Sequence, residues 1–270
     1  MFQERIASFF YLKVFLLIVI LVVIGAIIVR VGNEIVGSSF QNNSFSLLIV
    51  SKDSKLIFVD KASKSVLFLA LGDIQSYVKG KGPIEASIAL GIPINALIFD
   101  KKSPENLNDF SSSSNVSRLI FSGESPVFKN IDKYDIYKLT NAIKGSPKDN
   151  KHEIRVNIFN QEQMKEKVGD LFKDSVINNM GYTIEIQNGT SIDGLGTEVA
   201  GILSREGFNV IAVRTGTQKS NSFISYPKKR DIYTDSLEGL TGFVQKEGKI
   251  SQAADITIFL GEDLDSMLSF

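Results

Sequence analysis

Asn188, Gly189 and Thr190, followed by Gly194 and Gly196, make a glycine-rich segment suited to holding an anion. Asn and Gly both accept positive φ, so Asn188-Gly189 makes a tight turn from a strand into a helix. Glycines in the first turn of that helix let an anion approach the helix N-terminal amides, which is how a phosphate is held. Close helix packing without a ligand explains the same residues, and the spacing is neither G-x-G-x-x-G nor a Walker motif with its lysine. Asp53, Asp60, Asp73 and Asp100 form a second constellation. Magnesium sits on one or two carboxylates plus phosphates, yet aspartate also flanks turns for backbone reasons. Lys228, Lys229 and Arg230 form a basic knot that suits an anionic polymer or headgroup, or simply a solvated loop. His152 is the single histidine and cysteine is absent. Thiolate metal sites, disulfides, histidine clusters and Ser-His-Asp triads therefore have little to draw on.

Around these residues the chain alternates between strand and helix patterns. Apolar runs over 44–72, separated by SKDS and KASKS, predict a three-strand meander. Pro83–Leu90 reads as a short helix with proline in its first turn, and IPINALIFD (92–100) as a fourth strand. Residues 101–118, with the SSSS tract, read as loop. Lys133–Lys144 places Tyr134, Tyr137, Leu139 and Ile143 near helical spacing and ends at Gly145 with Pro147 beyond. Ile154, Val156 and Ile158 alternate as in a strand. A helix then starts at Asn160, carries Met164, Val168, Leu171 and Phe172 on one face, and ends near Asn178, Asn179 and Gly181. In the last ninety residues YTIEIQ is a strand. A helix follows with Asp193 as N-cap, Leu195, Val199, Ile202 and Leu203 as its stripe and Gly207 as its stop. FNVIAVR and FISYP are strands, 231–246 is a helix with Tyr233, Leu237, Leu240 and Val244 on one face, and DITIFLG closes the chain. The fold class is α/β (α+β): a β-rich middle domain over 44–178 and a C-terminal β-α-β-β-α-β sandwich whose helices share one sheet face.

Val14–Val29 holds no charge, amide or hydroxyl and is bracketed by Lys13 and Arg30. It reads as a single-pass transmembrane anchor over 14–31, with 1–13 as a cytoplasmic tail and 32–43 as a stalk. Arg5 and Lys13 before it, against Arg30 alone after it, put the bulk of the chain outside the cytoplasm. The run is longer than a signal-peptide h-region and VGNEIVGSSF offers no A-x-A-like site, which favours an uncleaved anchor. Thirty basic and thirty acidic residues cancel, so no basic field argues for nucleic acid.

IQNGT, GLG, LSREGFNV, ISY and DITIFLGED, in that order, resemble the C-terminal domain of LytR–CpsA–Psr proteins over residues 182–264, with Gly196 where that domain has alanine. The middle region carries a fainter likeness to the same family's catalytic domain, which transfers phospho-linked glycan polymers from a lipid carrier to the bacterial wall. Asp73 then falls on a family aspartate, but Gly72 stands where the family has arginine, and 44–117 contains no arginine to grip a pyrophosphate bidentately. The region is either a stripped, non-catalytic relative or an accidental likeness. The resemblance implies a non-enzymatic envelope protein that binds a cell-wall glycan or envelope partner through Asn188, Gly189, Thr190, Gly194 and Gly196, with no cofactor. On that reading Gly194→Val abolishes binding of a phosphorylated glycan and leaves thermal unfolding nearly unchanged. The alternative is a divergent glycopolymer phosphotransferase acting through Asp73 and magnesium.

Overall fold

A computed structural model describes residues 15–26, 40, 43–99, 127–156, 171–226, 231–248 and 251–268. The chain divides into two compact units, Met1–Ser38 and Ser39–Phe270. In the first, residues 15–26 form helix α1, and every side chain from Phe15 to Ile24 is 41–65 % exposed. Among the described residues no helix is long and apolar enough to cross a membrane. Residues 14 and 27–31 of the expected anchor lie outside the described residues, as do most of the stalk, the 101–118 loop, Asp100, Arg118 and the 228–230 knot.

In the second unit the meander forms as expected: β1 (Ser44–Val50), β2 (Ser54–Asp60) and β3 (Ser65–Gly72) pair antiparallel. β4 (Ala96–Phe99) lies parallel to β1, β5 (Val127–Lys129) antiparallel to β4, and β6 (Lys151–Arg155) parallel to β3. The spatial order is β5-β4-β1-β2-β3-β6. β1 and β2 are apolar almost without a break because both faces of this sheet are covered. Leu48, Val50, Leu56 and Phe58 pack on one side with helices α2 (Gln75–Val78) and α3 (Pro83–Leu90). Phe45, Leu47, Ile57 and Val59 pack on the other with Ile136, Leu139 and Ile143 of α4 (Lys133–Gly145). An Asp132–Asp135 capping box starts α4. Tyr137, expected on its packed face, points outward at 58 % exposure, and Ile136 takes the core position.

The helix expected to run from Asn160 is not continuous. Residues 157–170 lie outside the described residues, Leu171 and Phe172 sit in a turn, and a separate helix α5 (Ser175–Met180) begins behind Asp174. The carboxylate of Asp174 accepts from the Val176 and Ile177 amides at 2.8 and 3.1 Å, the bonds that start a new helix.

The second sheet runs β10-β9-β11-β7-β8. β7 (Thr183–Asn188), β8 (Asn209–Thr215) and β11 (Ile256–Leu260) are parallel, and β9 (Phe223–Tyr226) is antiparallel to β11. Helices α6 (Leu195–Glu206) and α7 (Ile232–Thr241) bury Leu195, Val199, Leu203, Leu237 and Leu240 against Ile184, Ile186, Ile224 and Ile258, so both cover one face as expected. The helix read over 231–246 stops five residues early: Gly242 adopts φ 72°, and Val244 opens an edge strand, β10 (Val244–Glu247). A short α8 (Asp263–Leu268) closes the fold. α3 serves both halves, since Ala86 and Leu90 belong to the core of the first sheet and Ile84 to that of the second.

Candidate functional site

The carboxyl ends of β7, β8 and β11 meet at one end of the second sheet, the place where open α/β sheets bind ligands. Three connections crowd there: 188–194 leading into α6, 216–222 leading into β9, and 261–262 leading into α8. Asn188 organises the first. Its Oδ1 accepts from the Thr190 amide (3.1 Å) and hydroxyl (2.7 Å), and its Nδ2 donates to the Ile192 carbonyl at 2.9 Å. The Ile192 amide in turn donates to Thr190 Oγ1 (3.2 Å). Ser191 donates from its amide and hydroxyl to Asp265 Oδ2 at 3.2 and 3.0 Å. The polar groups of Asn188 and Thr190 are thus spent on shaping the loop.

The glycines divide into two kinds. Gly189 is a close approach: a Cβ there would lie 2.6 Å from the Thr217 carbonyl oxygen and 2.7 Å from the Phe259 ring. Gly196 is buried, and its Cβ would meet Val213 Cγ1 at 2.7 Å, so α6 lies tight on β8. Gly194 has open space around it but adopts φ 81°, the left-handed conformation glycine enters without cost. It is also the N-cap of α6, a role expected of Asp193; no side chain caps the helix. Valine at 194 would therefore strain the backbone, and the expectation of unchanged unfolding for Gly194→Val does not hold. Asp193, Glu198 and Asp265 bring negative charge to the start of α6.

The sheet face opposite the helices carries a feature that sequence spacing did not reveal. Phe223 and Phe259 stack with centroids 5.4 Å apart, and Lys246 Nζ lies 4.2 Å from the Phe223 centroid and Lys219 Nζ 5.6 Å from that of Phe259. On the same face Arg214 Nε stands 3.7 Å from Glu185 Oε2. The Gln187 amide first, then the Ser251 hydroxyl and Arg214, hold Glu185 below the usual carboxylate range against the opposing effect of burial. The period-two alternation of β9, β10 and β11 contains this face, but which cations share it depends on strand order.

The expected aspartates do not converge. Asp73 is exposed and accepts from the Gln75 amide at 3.1 Å. Asp60 is buried at the far end of the hairpin, roughly 20 Å of strand away, bonded to the Ala62 and Ser63 amides and Asn43. Asp53 is exposed in the β1–β2 turn. Among the described residues no three metal-ligating side chains gather. Gly72 adopts φ 74°, a conformation that disfavours an arginine there.

A buried carboxylate pair was likewise invisible in the sequence. Asp174 and Glu206 are 0 and 2 % exposed, 32 residues apart, and lie where the two sheets meet. The Asp174 amide donates to the Glu206 carbonyl at 2.9 Å. Asn43 Nδ2 donates to Asp174 Oδ1 at 2.9 Å, and the Ser44 hydroxyl to Glu206 Oε1 at 3.1 Å. Burial, with Asp174 adding to it, pushes the Glu206 carboxyl up to about 8.

Residues 181–264 match the family model LytR_C, described as LytR cell envelope-related transcriptional attenuator. This chain carries a LytR_C domain. Its limits coincide with the second sheet and its helices, from two residues before β7 to the second residue of α8. No curated protein and no solved structure matches the chain.

Proposed function

We propose that the protein is anchored in a cell membrane by the apolar segment around α1 and acts outside the cytoplasm, without catalysis, by binding an anionic wall glycan or an envelope partner through its LytR_C domain. The LytR_C match carries the envelope reading. Ten consecutive apolar side chains on α1, all at least 41 % exposed, support a lipid environment. On the domain, Lys219 and Lys246 over the Phe223–Phe259 stack, with Arg214 beside Glu185 on the same sheet face, complement an anionic polymer. Lys219 lies in the connection that also packs against Gly189, so the Asn188–Gly196 loop and the cationic face adjoin. Asp73 is exposed, and Gly72 adopts a left-handed backbone that disfavours an arginine at that position. The test is retention of the full chain, in detergent, on isolated wall polymer. Binding that falls with salt and is lost in a Lys219→Glu/Lys246→Glu double variant supports the reading. Retention no greater than that of an unrelated anchored domain refutes it.

A further inference from the structure

A cavity of about 290 Å³ lies between the start of α3, the end of α7 and the start of α8. Its walls are apolar: Pro83, Ile84, Leu240, Phe243 and Leu264. Its polar wall is Glu85, only 7 % exposed, whose Oε2 is buried without any hydrogen-bond partner. Glu85 occupies the third position of α3, where a capping box would turn its carboxylate back onto the N-cap amide. No such bond forms. Gly82 leaves the carboxylate room, since a Cβ there would lie 2.5 Å from Oε2. A buried carboxylate oxygen without a donor is costly. Its surroundings supply none: among the described lining residues there is no lysine or arginine, the Asn130 amide group donates to the Asn95 and Gly239 carbonyls, and the Asp263 carboxylate accepts from the Ser222 amide and hydroxyl. Neighbouring Lys129 is occupied by the Gly80 and Lys81 carbonyls, both at 2.8 Å. Thr241 spends its hydroxyl on the Leu237 carbonyl at 2.7 Å. The carboxyl-terminal end of α7, another source of negative potential, closes the far wall.

We infer that this cavity is a binding site for a small ligand bearing a primary ammonium on an apolar body. The Glu85 carboxylate turns toward the cavity to receive the ammonium, and the body rests against Ile84, Leu240, Phe243 and Leu264. The volume sits at the low end for ligand pockets, which fits an amine of benzylamine size rather than a polymer. Specificity lies in the charge: a charge-assisted bond to a buried carboxylate is the interaction a neutral isostere forfeits. The inference is independent of glycan binding on the opposite sheet face.

The test uses the full chain in detergent, with benzylamine and benzyl alcohol as probes followed by ligand-observed NMR. Wild type binds benzylamine saturably, at roughly millimolar affinity for a ligand of this size, and benzyl alcohol at least about tenfold more weakly. Glu85→Gln removes that preference and melts no lower than wild type, because its orphan charge is gone. Equal binding of the two probes by wild type, no saturable binding of benzylamine, or an unchanged preference in Glu85→Gln each overturns the assignment. The comparison of probes on wild type decides the matter even if the variant fails to fold.

Discussion

Replacing Glu206 by glutamine removes a pH dependence that the fold imposes on its own stability. Glu206 ends α6 in a buried position, its Oε1 accepting from Ser44 and its Oε2 without a partner. Asp174 beside it is held by three donors: the Asn43 amide group and the backbone amides of Val176 and Ile177. The Glu206 carboxyl is raised from 4.5 to about 8 in the fold. Below pH 4.5 the group is protonated whether the chain is folded or not, and its contribution to stability is fully present. As pH rises from 4.5 to about 8 the unfolded chain releases the proton while the folded chain keeps it, so stability falls. Each pH unit within that window costs about 1.4 kcal/mol, so the full loss is on the order of 4–5 kcal/mol, an upper figure for a pair that can relax. Glutamine keeps the acceptor for Ser44 and is neutral throughout. Urea unfolding of the full chain in detergent, at intervals between pH 5 and 8, measures the effect. Wild type loses stability across this window and Glu206→Gln does not, so the two curves diverge toward pH 8. Parallel curves, or a wild-type stability that rises with pH between these limits, refute the assignment. Above pH 8 Lys61 acts in the opposite direction. Burial first, and the nearby Lys138 second, bring it down to about 8, so its contribution returns as pH climbs from there toward 10.5.

Other outcomes follow from the same geometry. Gly196→Ala drives a methyl into Val213 and costs about 1–3 kcal/mol; thermal unfolding shows the loss, and Val213→Ala in the same chain recovers part of it. Thr190→Val deletes a hydroxyl that both donates to Asn188 and accepts from Ile192, costing about 1–3 kcal/mol, and a melting temperature equal to wild type contradicts the role given to that loop. Gly72→Arg, which restores the arginine of the resembling family, costs roughly 1–2 kcal/mol through its left-handed backbone and yields no phosphate release from polyprenyl-pyrophosphate with magnesium. Release that depends on Asp73 overturns the non-catalytic reading.

Most of the architecture is legible in the residues, and its failures have physical causes. The meander shows because Ser, Asp and Lys turns separate three apolar runs, and α3 because Pro83 starts it. The false extension of α7 arises because Val244 continues the i, i+4 pattern beyond Leu240 while Gly242 breaks the backbone. A four-residue edge strand, VQKE, has too little apolar alternation to announce itself. Asp174 looks like a polar position within a longer helix until its hydrogen bonds show it to be a cap. Leu48 and Leu47 read alike, although they serve two cores on opposite faces of one sheet. At the candidate site the glycines are visible in the sequence, but their tasks are not. Gly196 answers to Val213, 17 residues away, and Gly189 to Thr217 and Phe259. The Lys219–Lys246 face and the Asp174–Glu206 pair exist only once the strand order is known, since local spacing carries no information about which distant segments become neighbours.

Protease treatment of intact spheroplasts carrying the untagged chain shows on which side of the membrane the LytR_C domain lies. An anchored, outward-facing chain sediments with membranes, and externally added protease degrades its LytR_C domain before any lysis. Recovery in the soluble lysate, or a domain that survives protease until the membrane is broken, contradicts that placement.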